Sequence, residues 1–338
     1  MTKQITFFLA VILIGCNSEE AKKPAANNIK IGIVERIDPL LDNIIDSGAQ
    51  AEIISEGYDW TEGPLWIENQ KMLLFSDVPR DTIFKWTEEK RKEVYLTPSG
   101  YTDTVKRGGE TGSNGLLLDK EGRLILCQCG NRQMARMDAP LDKPSPTYIS
   151  LANQYKGKKF NSPNDAVYNS AGELFFTDPP YGLEKYMDDP KKEIPFQGVY
   201  KVKTNGEVVL VTDTLTRPNG IAFLPGEKTL IVANSDDAKP NWYAFDIGDN
   251  DTFTNGRIFY SAANHDKGDK GGPDGMKVDK NGNIFATGPG GIWIFNKEAK
   301  LLGKIKFPDQ TSNCALTADE KTLFITNDMY VVRIKLRK

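Results

Sequence analysis

Gly272-Pro273-Asp274-Gly275-Met276-Lys277-Val278 runs into Asp279-Lys280-Asn281-Gly282 and then into the apolar Asn283-Ile284-Phe285-Ala286-Thr287. Short apolar runs on either side of an Asn-Gly pair favour a β-hairpin, because Asn and Gly tolerate the backbone angles of a tight turn. The stretch therefore predicts a polar loop, a strand, a turn and a return strand within about 16 residues.

The same unit recurs along the chain. Glu62-Gly63-Pro64 leads to Met72-Leu73-Leu74-Phe75, Ser113-Asn114-Gly115 to Leu124-Ile125-Leu126, and Pro163-Asn164-Asp165 to Leu174-Phe175-Phe176. Pro218-Asn219-Gly220 leads to Leu230-Ile231-Val232, and Ser312-Asn313-Cys314 to Leu323-Phe324-Ile325. With Leu73, Leu124, Leu174, Leu230, Ile284 and Leu323 as anchors, the intervals are 51, 50, 56, 54 and 39 residues. Strand-built repeats of this length are propeller blades, so six copies predict an all-β, six-bladed β-propeller.

Each copy is headed by a polar residue 10 or 11 positions before its anchor: Glu62, Asn114, Asn164, Asn219, Asp274 and Asn313. Equivalent positions in a propeller are related by rotation about the central channel, so these residues are expected to form a ring. Asp178 ends the return strand of the third copy and is expected on the same face, with Asp77, Asn234 and Asn327 in a wider ring. Tyr181 to Phe196 reads as a charged, proline-broken surface loop that overhangs the channel mouth.

Composition sets the class. The chain has 338 residues, 39% of them hydrophobic, and a net charge of -3, which fits one large globular unit and gives no basic face for nucleic acid. Residues 1–15 carry Lys3 and an apolar run from Ile5 to Ile14, the layout of a signal peptide too short to span a membrane. Leu13-Ile14-Gly15-Cys16 resembles the lipobox of bacterial lipoproteins, which implies a lipidated Cys16 and attachment to the membrane only through that anchor. Residues 16–28 read as a flexible tether and 29–338 as the propeller. Glu19-Glu20 resembles the acidic export signal of some surface lipoproteins, so the expected location is the bacterial cell envelope, as an outer-membrane lipoprotein facing the periplasm or the surface. Cys127, Cys129 and Cys314 are expected as small buried thiols. Of two early segments, Ile29 to Val34 and Ala51 to Ile54, one is expected to close the ring by joining the last blade.

The chemistry follows from the ring. The chain has no Gly-x-Ser-x-Gly elbow, no His-Glu-x-x-His, no phosphate-binding loop and no dinucleotide fingerprint. Its single histidine, His265, lies in the loop Asn264 to Gly268, where it is either a solvated residue or a ligand contact overhanging the channel. Carboxylates from Glu62 and Asp274 with amide oxygens from Asn164 and Asn219 suit a hard divalent cation such as Ca²⁺, which takes oxygen ligands and leaves room for a substrate oxygen.

Glu62-Gly63-Pro64-Leu65-Trp66, Asn161-Ser162-Pro163-Asn164-Asp165, Phe176-Thr177-Asp178-Pro179-Pro180-Tyr181-Gly182, Arg217-Pro218-Asn219-Gly220 and Pro273-Asp274-Gly275-Met276-Lys277-Val278-Asp279 together resemble the gluconolactonase, senescence marker protein and luciferin-regenerating enzyme family. Gly288-Pro289-Gly290-Gly291-Ile292-Trp293 and Asn313-Cys314 look most like its bacterial gluconolactonase branch. The resemblance runs from about Ile53 to the C-terminus. It implies a catalytic divalent metal, often Ca²⁺ with Mg²⁺, Mn²⁺ or Zn²⁺ as other options, held by Glu62, Asn219 and Asp274. Asn164 matches a position that contacts metal or substrate, and Asp274 matches the proposed general acid or base.

The implied reaction is hydrolysis of a sugar-acid lactone, D-glucono-1,5-lactone to gluconate. Other expectations are an organophosphate or other ester hydrolase on the same site, or a carbohydrate-binding surface lipoprotein that turns nothing over. Asn114 and Asn313 are open between substrate contact and structural turn. Asp178 could bind substrate, hold a ligand residue in place or form an Asp-Pro turn.

Overall fold

The structure, a computed structural model, describes Met1, 29–248 and 253–337. The signal peptide, Cys16, Glu19-Glu20 and the tether lie outside the described residues. Among the described residues, every regular element apart from three short 3-10 turns is a strand.

The predicted hairpins are the inner halves of six antiparallel sheets. Blade 1 comprises Thr61–Ile67, Met72–Asp77, Thr82–Thr87 and Arg91–Leu96, and blade 2 Ser113–Leu118, Leu124–Gln128, Gln133–Met137 and Tyr148–Ala152. Blade 3 runs from Ala166–Tyr168 to Val208–Thr212, and blade 4 from Pro218–Phe223 to Phe253–Ser261. Blade 5 starts at Met276–Val278 and blade 6 at Thr311–Leu316.

Both early segments are used, where one was expected. Ala51–Glu56 pairs with Tyr330–Lys335 as the fourth strand of blade 6, and Lys30–Ile31 extends that sheet. Ile33–Arg36 pairs instead with Leu301–Lys306, adding a fifth strand to blade 5. Arg333 Nε donates to Glu52 Oε1 at 3.0 Å across the seam. The outer edges of these two blades are thereby the short strands Lys30–Ile31 and Ile33–Arg36, and short edge strands are poor templates for aggregation.

Apolar burial is divided among six clusters, each spanning one blade–blade interface. Leu73, Phe75 and Trp86 of blade 1 pack on Phe324 and Val331 of blade 6, for example, and Ile125 and Cys127 of blade 2 pack on Phe176 and Tyr200 of blade 3. Alternation along each strand places one set of side chains toward each neighbouring blade, so a propeller has no single central core. The channel is therefore free for polar groups. Cys127, Cys129 and Cys314 are buried free thiols, as expected.

The Tyr181–Phe196 segment is less exposed than its charge suggested, because Leu183 and Ile194 are buried and pin it to the body of the protein.

Candidate active site

The six heading residues do form a ring, and two local devices build it. In blades 1, 2, 4 and 6 the inner strand breaks register beside the ring residue, between Glu62 and Leu65, Ser113 and Leu116, Pro218 and Ile221, and Thr311 and Asn313. Such bulges re-aim a side chain, here away from the blade interface and into the channel. The second device is the glycine that follows the ring residue in four copies. Gly63 has φ +50°, and a Cβ there would stand 2.0 Å from Asn114 O; one at Gly220 would stand 2.2 Å from Asp274 O. Only glycine lets successive inner strands approach so closely.

Contacts run round the circle. Gly115 N donates to Asn164 O at 2.8 Å, Gly275 N to Ser312 O at 2.7 Å, and Asn313 Nδ2 to Glu62 Oε2 at 3.3 Å. Ser312 Oγ donates to Thr61 O at 2.6 Å, tying blade 6 to blade 1.

The ring is rich in acceptors and short of donors. Asn114 Oδ1, Asn164 Oδ1, Asn219 Oδ1 and Asp274 Oδ1 are buried and meet no donor among the described residues. Buried oxygens without partners are strongly disfavoured, and a hard cation satisfies several at once. The orientation of Asn219 is fixed by its surroundings: its Nδ2 donates to Ser235 Oγ at 2.9 Å, and Ser235 Oγ in turn donates to Pro273 O at 2.5 Å, which leaves Oδ1 as the free acceptor. Among the described residues no trio of carboxylate, thiolate or imidazole groups could hold a metal unaided. The donor set is mixed, two ring carboxylates with amide oxygens, which suits an oxygen-seeking ion such as Ca²⁺.

Electrostatics agree with that composition. Burial pushes the Glu62 carboxyl up to about 8, the Gly63 N–H opposes it, and the Asp165 and Glu110 charges add to it. Asp274 is raised well above the usual carboxylate range by burial and then by Glu62, Glu110 and Asp165. Four carboxyl groups thus share one poorly hydrated channel, and like charges so placed resist joint ionisation unless a cation joins them.

The other expected residues are sorted by their contacts. Asn313 is a donor to Glu62, and its own Oδ1 accepts from Cys314 N at 2.8 Å, so it braces the ring. Of the roles open to Asp178, the contacts favour holding a ligand residue in place: it is fully buried, and its carboxylate accepts from Asn161 N at 2.8 Å and Ser162 N at 2.6 Å. It clamps the segment that delivers Asn164. Asp77 and Asn234 do the same for Trp60 and Arg217, whose backbone N–H groups they accept. His265 is half-buried with Nδ1 3.0 Å from Asp266 O, and it is not among the residues that bound the cavity beside Asp274.

That cavity, of about 200 Å³, is bounded by Trp60, Ser235, Asp237, Gly271, Gly272, Asp274, Gln310 and Thr311. A larger cleft of about 460 Å³, bounded by Asp119, Arg123, Tyr168 and Ser170, lies at the hairpin turns, remote from the strand starts that carry the ring.

Three residues escaped the sequence reading. Asp165 follows Asn164 where four other copies place glycine, and that break in pattern was its available signal. Ser235 and Glu110 sit outside the repeat register and left none.

The family model described as the SMP-30/Gluconolactonase/LRE-like region matches residues 60–328, from the residue before the first inner strand to the turn inside the last blade. The chain belongs to this family. Of its relatives, the gluconolactonase of Zymomonas mobilis subsp. mobilis is 37% identical, over 95% of this chain and 90% of that one. A gluconolactonase structure from Xanthomonas campestris superposes with a TM-score of 0.79 at 28% identity, covering 93% of this chain and 99% of the other. The calcium-binding protein regucalcin from Agrobacterium tumefaciens shares the fold at a TM-score of 0.65 and 16% identity, covering 84% of this chain and 93% of that one. The SMP-30/gluconolactonase/LRE-like match begins at Trp60, so the Trp60 wall of the cavity, the ring and Ser235 all fall inside it, whereas Lys30–Ile31, Ile33–Arg36 and Ala51–Glu56 fall outside.

Proposed function

We propose that this protein hydrolyses a neutral sugar-acid lactone such as D-glucono-1,5-lactone, using a divalent cation, Ca²⁺ first, held by Glu62, Asn164, Asn219 and Asp274. Lactone hydrolysis is the reaction of its gluconolactonase relatives. The observation that carries the reading to this chain is the convergence of buried, donor-free oxygens on Asn164, Asn219 and Asp274 beside the Glu62 carboxyl.

When bound, the cation supplies charge neutralisation among the carboxylates and polarisation of an ester carbonyl. The remaining work belongs to the side chains. Asp274 is the ring carboxylate that also lines the cavity, so it alone faces both the oxygen ring and a substrate. It takes a proton from the attacking water and returns one to the ring oxygen as the carbonyl carbon–oxygen bond breaks, giving the open-chain hydroxy acid. Glu62 is held by Gly63 N at 2.8 Å and by Asn313, so it stays in place as a ligand. Trp60 offers an aromatic wall to a sugar ring, and the cavity of about 200 Å³ admits one such ring.

The test is proton release from D-glucono-1,5-lactone above its spontaneous rate. Acceleration that disappears with chelator and returns with Ca²⁺ is the expected result; acceleration untouched by exhaustive chelation would remove the cation from the reading. A second measurement probes the site's construction. Ser235→Ala frees the Asn219 amide to rotate, and Ca²⁺ affinity measured by calorimetry is expected to fall roughly 10-fold, the usual effect of removing a group that orients a ligand. Unchanged affinity would show that Asn219 needs no such support.

A further inference from the structure

The loop joining blades 1 and 2 carries a carboxylate that the repeat does not account for. Arg107 fastens this loop to its neighbours, with Nη1 donating to Gly182 O at 2.6 Å and Nη2 to Gly130 O at 2.9 Å. Glu110 N donates to Tyr181 O at 3.4 Å, and Gly109, with φ +82°, packs so closely that a Cβ would stand 3.1 Å from Gly182 O. The backbone on which Glu110 rides is therefore set by contacts with blades 2 and 3.

Its side chain is not consumed by any of this. Glu110 Oε2 is buried and meets no donor among the described residues. Its backbone bond to Tyr181 sets it beside the channel, where its charge bears on Asp274 and Glu62. Burial pushes this carboxyl up to about 7. A buried acceptor of this kind is costly until something donates to it.

We propose that Glu110 is a specificity-determining residue of the lactone site, accepting hydrogen bonds from neighbouring hydroxyls of an uncharged, polyhydroxylated lactone. The inference rests on the lactonase reading above and adds to it the part of the substrate that is read. Glu110 lies outside the register of the ring, so it is not one more oxygen of that set. A lactone without hydroxyls leaves the carboxylate unanswered, and an anionic one is repelled by it. Sites built to bond a hydroxyl reject analogues that lack it far more strongly than apolar pockets reject a missing methylene.

The experiment compares the full chain with Glu110→Gln and Glu110→Ala against three probes: D-glucono-1,5-lactone, δ-valerolactone, which has the ring and ester without hydroxyls, and 1,5-anhydro-D-glucitol, which has the hydroxyls without the ester. The preference in kcat/KM for gluconolactone over valerolactone is expected to fall roughly 10-fold or more in both variants, mainly through KM, as loss of a hydrogen bond to a charged group implies. The Kd of 1,5-anhydro-D-glucitol is expected to rise by a similar factor, with Ca²⁺ affinity within about twofold of the parent. An unaltered preference overturns the proposal, as does an equal fall on both lactones or a parallel loss of Ca²⁺ affinity, which would make Glu110 a ligand. If the parent hydrolyses neither lactone, the lactonase reading fails and the anhydroglucitol arm decides Glu110 alone: weaker binding by the variants upholds it, and equal or absent binding overturns it.

Discussion

Asp274→Asn is expected to lower lactone turnover by about 10³-fold or more, the scale of losing a positioned proton-transfer group together with a ligand charge. Asn preserves the shape and one oxygen toward the ring, so the fold and the bulged strand start should survive. What it cannot do is carry the proton between water and leaving oxygen. Steady-state proton release with saturating Ca²⁺ measures the effect, and calorimetry on the same variant separates it from lost cation affinity. Residual turnover within tenfold of the parent would show that the proton moves through another group.

A second large effect concerns the cation-free protein, whose stability should fall as pH rises. The sign follows from the channel carboxyls. Glu62 is held up to about 8 and Glu110 to about 7 in the folded state, both mainly by burial, and Asp274 is raised in the same direction. In the unfolded chain such groups titrate near 4.3. Between those limits the folded state binds more protons than the unfolded one, so stability present below the unfolded pKa is lost as pH climbs toward 8. Thermal melts in chelator are expected to show a midpoint lower at pH 8 than at pH 5 by on the order of 5 °C. Glu62→Gln, which cannot ionise, should melt above the parent at pH 8 and near it at pH 5, and Ca²⁺ should reverse the parent's loss. A parent midpoint that holds or rises between pH 5 and pH 8, with no gain from Glu62→Gln, would contradict the charge-crowded channel.

The reach of the sequence ended where geometry stopped being repetitive. Glu62, Asn114, Asn164, Asn219, Asp274 and Asn313 were found because rotation about one axis turns a shared register into a shared location. Glu110 was invisible to that argument, since its position is set by Arg107 gripping Gly182 and Gly130, contacts between loops of unequal length. Asp178 stayed open between roles for the opposite reason. Register put it on the correct face, but register does not say whether a carboxylate turns inward to ligands or backward to the N–H groups of Asn161 and Ser162. Asn313 shows the same ambiguity resolved within the ring, with both ends of its amide already bonded. Residue type and spacing locate a side chain, while the partners available to it decide its task.

The seam in blade 6 also fixes an order of events. Ala51–Glu56 enters blade 6 by pairing with Tyr330–Lys335, near the far end of the chain, and Glu62 meets Asn313 only when those two ends have joined. A growing chain could stack its early blades as they emerge, yet the circle of oxygens would stay open at one side until nearly the last residue is made. A cation that binds the closed circle and not the open arc would act as a lock on the finished molecule, so that a chain cut short before its last strand would lose the site along with the seam.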